Sequence, residues 1–380
     1  MLTHHSTKDY KEAASEAAKK ARIKMEELIH NGGKSAEAVI ESVQNMIIKD
    51  RISDSNKIQF IPVGADSIDV YLKGLKEIYN LHPFALTQSL LRSGIPNVTK
   101  FQALMFQHGE VGNKLLAHNL NILFKESDKT NLIRVVEDEV RGVLSDRFRR
   151  MDARPLLEKF VEGCQVIGVR PIEGFVEDTR VVLRAVLPVV FEPIDNEVMI
   201  FGYEWRTSDF GHGAHCMNMW MKRLWCTNHA ILDELLRQIH LGKRLDQTIN
   251  LSETTVNLNT QATASQLYDT VVHMLSPHRV KLYLDGIREL DKEKVTSHSV
   301  NTFLEKKFAK LERERIIEQF NTADIEMMPK GSTKWRLSNA ISWVANEIDN
   351  MDRKLYYQET AGNMIPRYEK IEPVTISPIE

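Results

Sequence analysis

His212, His215, Cys216, Cys226 and His229 stand in the order H-x-x-H-C and then C-x-x-H, and zinc takes four nitrogen or sulfur ligands from such sets. If residues 216 to 226 form one straight strand, the two sulfurs share a face about 33 Å apart, at about 3.3 Å per residue. A metal then requires the strand to fold back, so the plainer reading is preferred: two buried structural cysteines, surface histidines and no bound metal. A second group is basic. Arg141, Arg147, Arg149, Arg150, Arg154 and Lys159 meet only Asp146, Asp152 and Glu158 in the same stretch, with Phe148 among them. Guanidinium forks bind phosphate bidentately, and an aromatic ring between them can stack a base of single-stranded nucleic acid. In an extended segment Arg147 and Arg149 share one face while Phe148 and Arg150 share the other, so half of the group can form a single stripe. The third group is acidic: Asp146, Asp152, Glu204 and Asp209 could gather on a magnesium ion for phosphodiester cleavage.

The sequence has no GxGxxG, no GKS or GKT loop, no GxSxG elbow and no HExxH, which removes the common nucleotide-loop, serine-hydrolase and metalloprotease readings. With 50 basic and 52 acidic residues the net charge is -2, so any pull on nucleic acid has to be local. Cys164, Cys216 and Cys226 are too few and odd in number for a disulfide framework, which fits a reducing cytoplasm. No signal-peptide core opens the chain and no eighteen apolar residues run together, so neither secretion nor a membrane span is expected.

Elements must carry these groups. Residues 1–50 read as a helical arm: Ala, Lys and Glu from Lys8 to Glu27, a stop at Gly32 and Gly33, then a second helix from Ser35 to about Lys49. Such an arm either orders against a partner, a host factor among them, or docks on its own domain. Residues 51–128 read as a helical layer, on the stripe Ile68, Leu72, Leu75, Ile78 and on Leu115, Leu116, Leu120, Leu123. Residues 129–250 read as an α+β core. Asn131 to Val136 and Val140 to Ser145 form a hairpin, and a helix follows near Pro155 with Asp152 as its cap. Strands are expected over 165–169, 180–187, 189–191, from Val198 to Arg206, and along the face Met217, Met219, Met221, Trp225. Ile231, Leu232, Leu235, Leu236 and Ile239 then recur at helical spacing, with Thr227 or Asn228 as cap and Gly242 as stop. Residues 251–365 read as helices over 261–275, 279–290, 300–319 and 334–350, and 366–380 as a loose tail. The segregation of strands and helices predicts an α+β fold: an antiparallel sheet of about five to seven strands with packed helices, flanked by N- and C-terminal helical segments.

Three blocks, VLSDRFRRMDARPLLE from Val143, the loop and strand from Ser208 to Asn228, and STKWRLSNAISWVANEID from Ser332, resemble the phage- and plasmid-encoded proteins of domain-of-unknown-function family 932. The resemblance covers roughly residues 125 to 365; where typical members have glycine after Cys-Thr-Asn, this chain has His229. It implies a mobile-element origin and the cytoplasm of a bacterial host, and no established activity. Together these readings predict a non-catalytic nucleic-acid-binding protein of replication, recombination or host takeover. Arg141, Arg147, Phe148, Arg149, Arg150 and Arg154 would form its edge for single-stranded or duplex DNA, with Asp146, Asp152, Ser208, Asp209 and Asn228 as supporting network. No cofactor is expected, except magnesium under the alternative of a nuclease; the other alternative is a protein that binds a host factor through its N-terminal helices. One contact is predicted outright: Arg147 or Arg150 reaches Asp209 or Asp152, with Asn228 capping a helix over 229–241 beside them.

Overall fold

A computed structural model describes residues 5–224, 229–238, 252–322 and 328–366. Helix α1 (Glu16–Asn45) opens them, with Ser15 accepting a hydrogen bond from the Ala18 amide. It runs straight through Gly32 and Gly33, where the sequence predicts a stop. The reason is a close approach: a Cβ on Gly32 would overlap the backbone carbonyl of Ile172. The two halves of α1 join different cores, Ala18, Ala21 and Met25 in one and Ala36, Val39 and Val43 in the other. The arm therefore docks on its own domain.

Four strands follow, β1 (Ile48–Asp54), β2 (Ile58–Val63), β3 (Ser67–Leu72) and β4 (Glu77–Leu81), then helices α2 (Pro83–Arg92), α3 (Val98–Gln107) and α4 (Gly109–Lys125). The expected helical layer over 51–128 is thus half sheet. Ile68 and Leu72 are four apart, a spacing that suits both a helix and a strand, but Val70 between them is buried too, while Leu75 and Ile78 are exposed. The period is two. The hairpin predicted after Asn131 is present as β5 (Thr130–Val136) and β6 (Glu139–Ser145), turning through Glu137 at φ +53°. The first sheet has the order β1-β5-β6-β4-β3-β2, antiparallel except between β4 and β6. Helices α2 and α4 cover one of its faces through Leu86, Leu90, Leu116 and Leu120.

Helix α5 (Ala153–Ile167) leads into the second sheet. The strand expected over 165–169 is overturned: Gln165 to Ile167 are the last turn of α5, closed by Gly168 at φ +75°. The strands are β7 (Arg170–Glu177), β8 (Arg180–Val186), β9 (Phe191–Ile194), β10 (Glu197–Thr207), β11 (His215–Arg223) and β12 (His229–Gln238). Their order is β12-β11-β10-β8-β7, with β9 on β10. The helix expected over 229–241 is instead β12, antiparallel to β11. Register shifts between Met217 and Asn218 and between Met219 and Trp220 interrupt the pairing, so the apolar pattern of Ile231, Leu232, Leu235 and Leu236 loses its period of two. Thr227, Asn228, Ile239 and Gly242 lie outside the described residues, as do Trp225 and the tail from 367.

Six helices complete the described chain: α6 (Glu253–Met274), α7 (Pro277–Lys292), α8 (Ser297–Glu305), α9 (Lys310–Asn321), α10 (Lys334–Val344) and α11 (Met351–Gly362). One face of the second sheet, Met199, Phe201, Tyr203 and Trp205 with Met217, Met219 and Met221, packs on Phe160 of α5, Leu267 of α6 and Tyr283 of α7 in the main core. On the opposite face, Val186, Val198, Ile200 and Trp220 meet the first half of α1. The rest of that face carries Arg184, Glu204, Arg206, Cys216 and Asn218, with Val182 and Ile231 among them. The architecture is α+β, two six-stranded and mostly antiparallel sheets with N- and C-terminal helices. Among the described residues no helix is long and apolar enough to cross a membrane.

Candidate functional site

The loop from Ser208 to Ala214 connects β10 to β11 within the second sheet and touches the first through Arg134 of β5 and Gln88 of α2. Ser208 Oγ donates to the Thr179 carbonyl at 2.6 Å and accepts from the Phe210 and His212 amides, which folds the loop back on itself. Asp209 Oδ1 accepts from the Ala153 amide at 2.8 Å and so caps α5, the role predicted for Asp152, whose side chain makes no cap bond. The Asp209 carbonyl accepts from Arg134 Nη1 at 2.8 Å; Arg134 also donates to Asp152 at 2.6 Å and to Asp50 at 2.9 Å. Burial raises the Asp209 carboxyl to about 7, with Asp152 and Asp50 adding to the shift and Arg134 and the Ala153 amide opposing it. Burial works against the Arg134 cation as well, but the three aspartates outweigh it and its pKa rises.

This corrects the predicted contact. Asp152 and Asp209 do share a guanidinium, but it is that of Arg134, absent from the predicted set. Arg150 instead binds Asp50 and Glu253, each at 2.8 Å, and Arg147 is exposed. The remaining predicted cations are dispersed: Arg141 on Glu139, Arg149 on Thr263 and Arg154 on Glu158. Phe148, half-buried, packs close to Gly211. They form no single stripe. The predicted acidic set is divided too, since Asp146 is exposed beside Ser145 Oγ and Glu204 is buried in the second sheet, its Oε2 accepting from both Nε and Nη2 of Arg184.

Among the described residues His212 and Cys216 line one cavity, but His215 and His229 lie apart from them, buried rather than at the surface. His215 Nδ1 accepts from Trp205 Nε1 on the core side of the sheet, while Cys216, next in the strand, turns to the polar side. His229 pairs with Lys222 across the strands, six residues along β11 from Cys216, about 20 Å at strand spacing. Its Nδ1 takes a hydrogen bond from Arg184 at 3.0 Å, and burial lowers its pKa strongly. Cys226 lies outside the described residues.

The same polar side carries a constellation that the sequence reading did not single out. Arg206 of β10 faces Cys216 of β11, and Cys216 faces Arg237 of β12, so the three form one cross-strand row on one face. Neighbouring strands stand about 4.8 Å apart, which places the two arginine backbones about 10 Å from each other with a small side chain between them. Arg206 also opposes Val182 of β8, and Arg180 lies two residues from Val182 on the same face. These three arginines, with His212, line the floor of a cavity of about 300 Å³. Its roof is the face of α11 bearing Asp352, Leu355, Tyr356 and Glu359, spaced i, i+3, i+4 and i+7.

Roof and floor are tied by two ion pairs, Arg180 to Asp352 at 2.8 Å and Arg206 to Glu359 at 2.9 Å. Arg237, about half exposed, pairs at 3.0 Å with Glu234 of its own strand. His212 stacks on Phe84 with ring centroids 4.3 Å apart. Arg180 Nη2 donates to its Nε2 at 2.6 Å, so the ring proton sits on Nδ1 and is given to Thr179 Oγ1 at 2.8 Å. Burial and then Arg180 lower the His212 pKa, which keeps the ring neutral as an acceptor. His212 thus positions a guanidinium. Burial raises the Cys216 thiol, with Arg206 pulling it back, so this sulfur stays protonated at neutral pH. The cavity can hold an anion on fixed guanidiniums, and its roof offers an aromatic ring beside it. No family model, curated protein or solved structure matches the chain.

Proposed function

We propose that the protein binds nucleic-acid strands without chemical conversion, holding phosphate on Arg206 and Arg237 with Arg180 behind them. The observation that carries this reading is the row Arg206, Cys216, Arg237: two guanidiniums on one face, separated by a thiol small enough to leave room for a phosphate between them. The edge at Arg147, Arg149 and Arg150 gives weaker support, because Arg150 is already held by two carboxylates. A mobile-element protein of replication, recombination or host takeover, as the resemblance to family 932 implies, is a natural setting for strand binding.

The test is anisotropy titration of labelled single-stranded and duplex DNA across a salt series, with and without magnesium. Phosphate-driven binding should give a log–log salt slope of about -0.7 per single-strand phosphate engaged. Arg237→Ala should weaken it by about tenfold, the scale of one charge-assisted hydrogen bond, while Arg147→Ala should leave it within about twofold. The opposite ranking would return the site to the strand edge. No binding at low salt would overturn the proposal, and cleavage that depends on magnesium would replace it with the nuclease.

A further inference from the structure

We infer that the cavity takes a nucleotide phosphomonoester, the dianion at a strand end or on a free nucleotide, rather than a diester within a continuous strand. The inference rests on the phosphate reading of the cavity above and names its ligand class.

Depth comes first. Arg180 lines the cavity yet is only 6% exposed. Its Nε has no hydrogen-bond partner, the nearest carboxylate being that of Glu177 at 3.9 Å. A diester inside a strand carries a nucleoside on each side, so beneath the α11 roof it reaches only rim groups such as Arg237. A terminal phosphate has one substituent and can enter as far as Arg180.

Charge points the same way. Asp352 and Glu359 already occupy Arg180 and Arg206, with Glu204 also 3.8 Å from Arg206, so an incoming anion must compete with carboxylates at both. A diester brings one negative charge, whereas a monoester brings about -1.5 to -2 and three terminal oxygens at neutral pH. A dianion competes with Asp352 and Glu359 for Arg180 and Arg206 more strongly than a monoanion does, and Arg237 adds a third cation at the rim. Size agrees too: about 300 Å³ is the lower end of small-ligand sites, enough for one nucleotide and not for a length of strand. Leu355 and Tyr356 in the roof supply the apolar and stacking surface that a base or sugar needs.

The full chain should be titrated with single strands of one sequence bearing a 5′-hydroxyl, a 5′-phosphate or a 3′-phosphate, and with the same sequence as a circle. Adenosine monophosphate and adenosine serve as competitors and as ligands in thermal melting. A terminal phosphate should tighten binding by at least about tenfold, the circle should bind no better than the hydroxyl-ended strand, and the monophosphate should compete where adenosine does not. Arg180→Met, where melting shows it folded, should erase the preference, whereas Arg237→Ala, on an exposed side chain, should weaken phosphorylated and hydroxyl-ended strands alike without loss of fold. A circle that binds as tightly as the phosphorylated strand overturns the inference and leaves strand binding intact. If no strand binds but the monophosphate raises the melting temperature of the wild type and not of Arg237→Ala, strand binding fails and the phosphomonoester site stands. If neither ligand binds, both are overturned.

Discussion

Asp209 does its work through one carboxylate oxygen and one carbonyl. The oxygen caps α5 from a loop 56 residues further along the chain, and the carbonyl receives Arg134. Because its folded pKa of about 7 lies above that of an unfolded aspartate, the native state binds the extra proton between those values. Stability from this residue is therefore greatest in mild acid and declines as pH rises toward 7. Asp209→Asn keeps an acceptor for the Ala153 amide and removes the titration. Its stability relative to wild type should rise by roughly 1 to 3 kcal/mol between pH 5 and pH 8, read by urea unfolding at both. A constant difference would mean that Asp209 is ionised throughout. Asp209→Ala leaves a buried amide unpaired, which should cost roughly 1 to 3 kcal/mol at pH 8, and it should cost more at pH 5, where wild type also gains from the bound proton. The sequence drew attention to Asp209 and Asp152 but not to Arg134. A single arginine inside the β-branched run NLIRVV was the available sign, since a guanidinium in a buried strand needs carboxylates to meet it. The cavity arginines were harder to see. Arg206 and Arg237 are 31 residues apart in sequence, and only the register of β10, β11 and β12 makes them neighbours.

At the scale of elements, α1 shows how two adjacent glycines can play different parts. Gly32 sits where the helix backbone meets the Ile172 carbonyl of β7, whereas a Cβ on Gly33 would have nothing within 4 Å. Gly33→Ala should therefore stabilise the protein by up to about 1 kcal/mol through helix propensity alone. Gly32→Ala gains the same propensity but must push α1 off β7, a net loss of about 1 to 3 kcal/mol. Thermal unfolding of the two variants decides it, and equal shifts would refute the close approach. In the sequence the pair reads as a helix stop, because glycine both ends helices and permits contact. Similar ambiguities explain the other misreadings. Spacings of four fit either period at Ile68 and Leu72, and the register shifts of β11 against β12 hide the alternation that would have marked His229–Gln238 as a strand. Where short apolar, β-branched runs are bounded by turn residues, as in β5, β6, β8 and β10, the strands were legible.

The whole molecule depends on how the first sheet is held to the second, and Arg134 is central to that joint. From β5 it reaches Asp50 in β1, Asp152 at the start of α5 and the Asp209 carbonyl beyond β10. Other links cross the joint beside it: Gln88 to the Phe210 carbonyl at 2.7 Å, Phe84 against His212, Arg150 between Asp50 and Glu253, and His82 and Arg141 against Asp178 in the turn after β7. Apolar packing is concentrated inside separate cores, one on each side of the joint, so the two sheets each have means to persist alone. Arg134→Met removes the cation and leaves Asp50, Asp152 and Asp209 facing one another without their shared partner. Breaking a buried pair in this way costs about 3 to 5 kcal/mol, and part of that falls on the contact between the sheets rather than within either. The expected outcome is a change in cooperativity: one denaturant transition in the wild type, two in Arg134→Met. Amide exchange in β5 and β6 should then quicken before that in β10 and β11. A single transition merely shifted to lower denaturant would show that the sheets unfold as one unit with or without Arg134. In that event the joint would be held chiefly by the packing of the Ser208 to Ala214 loop.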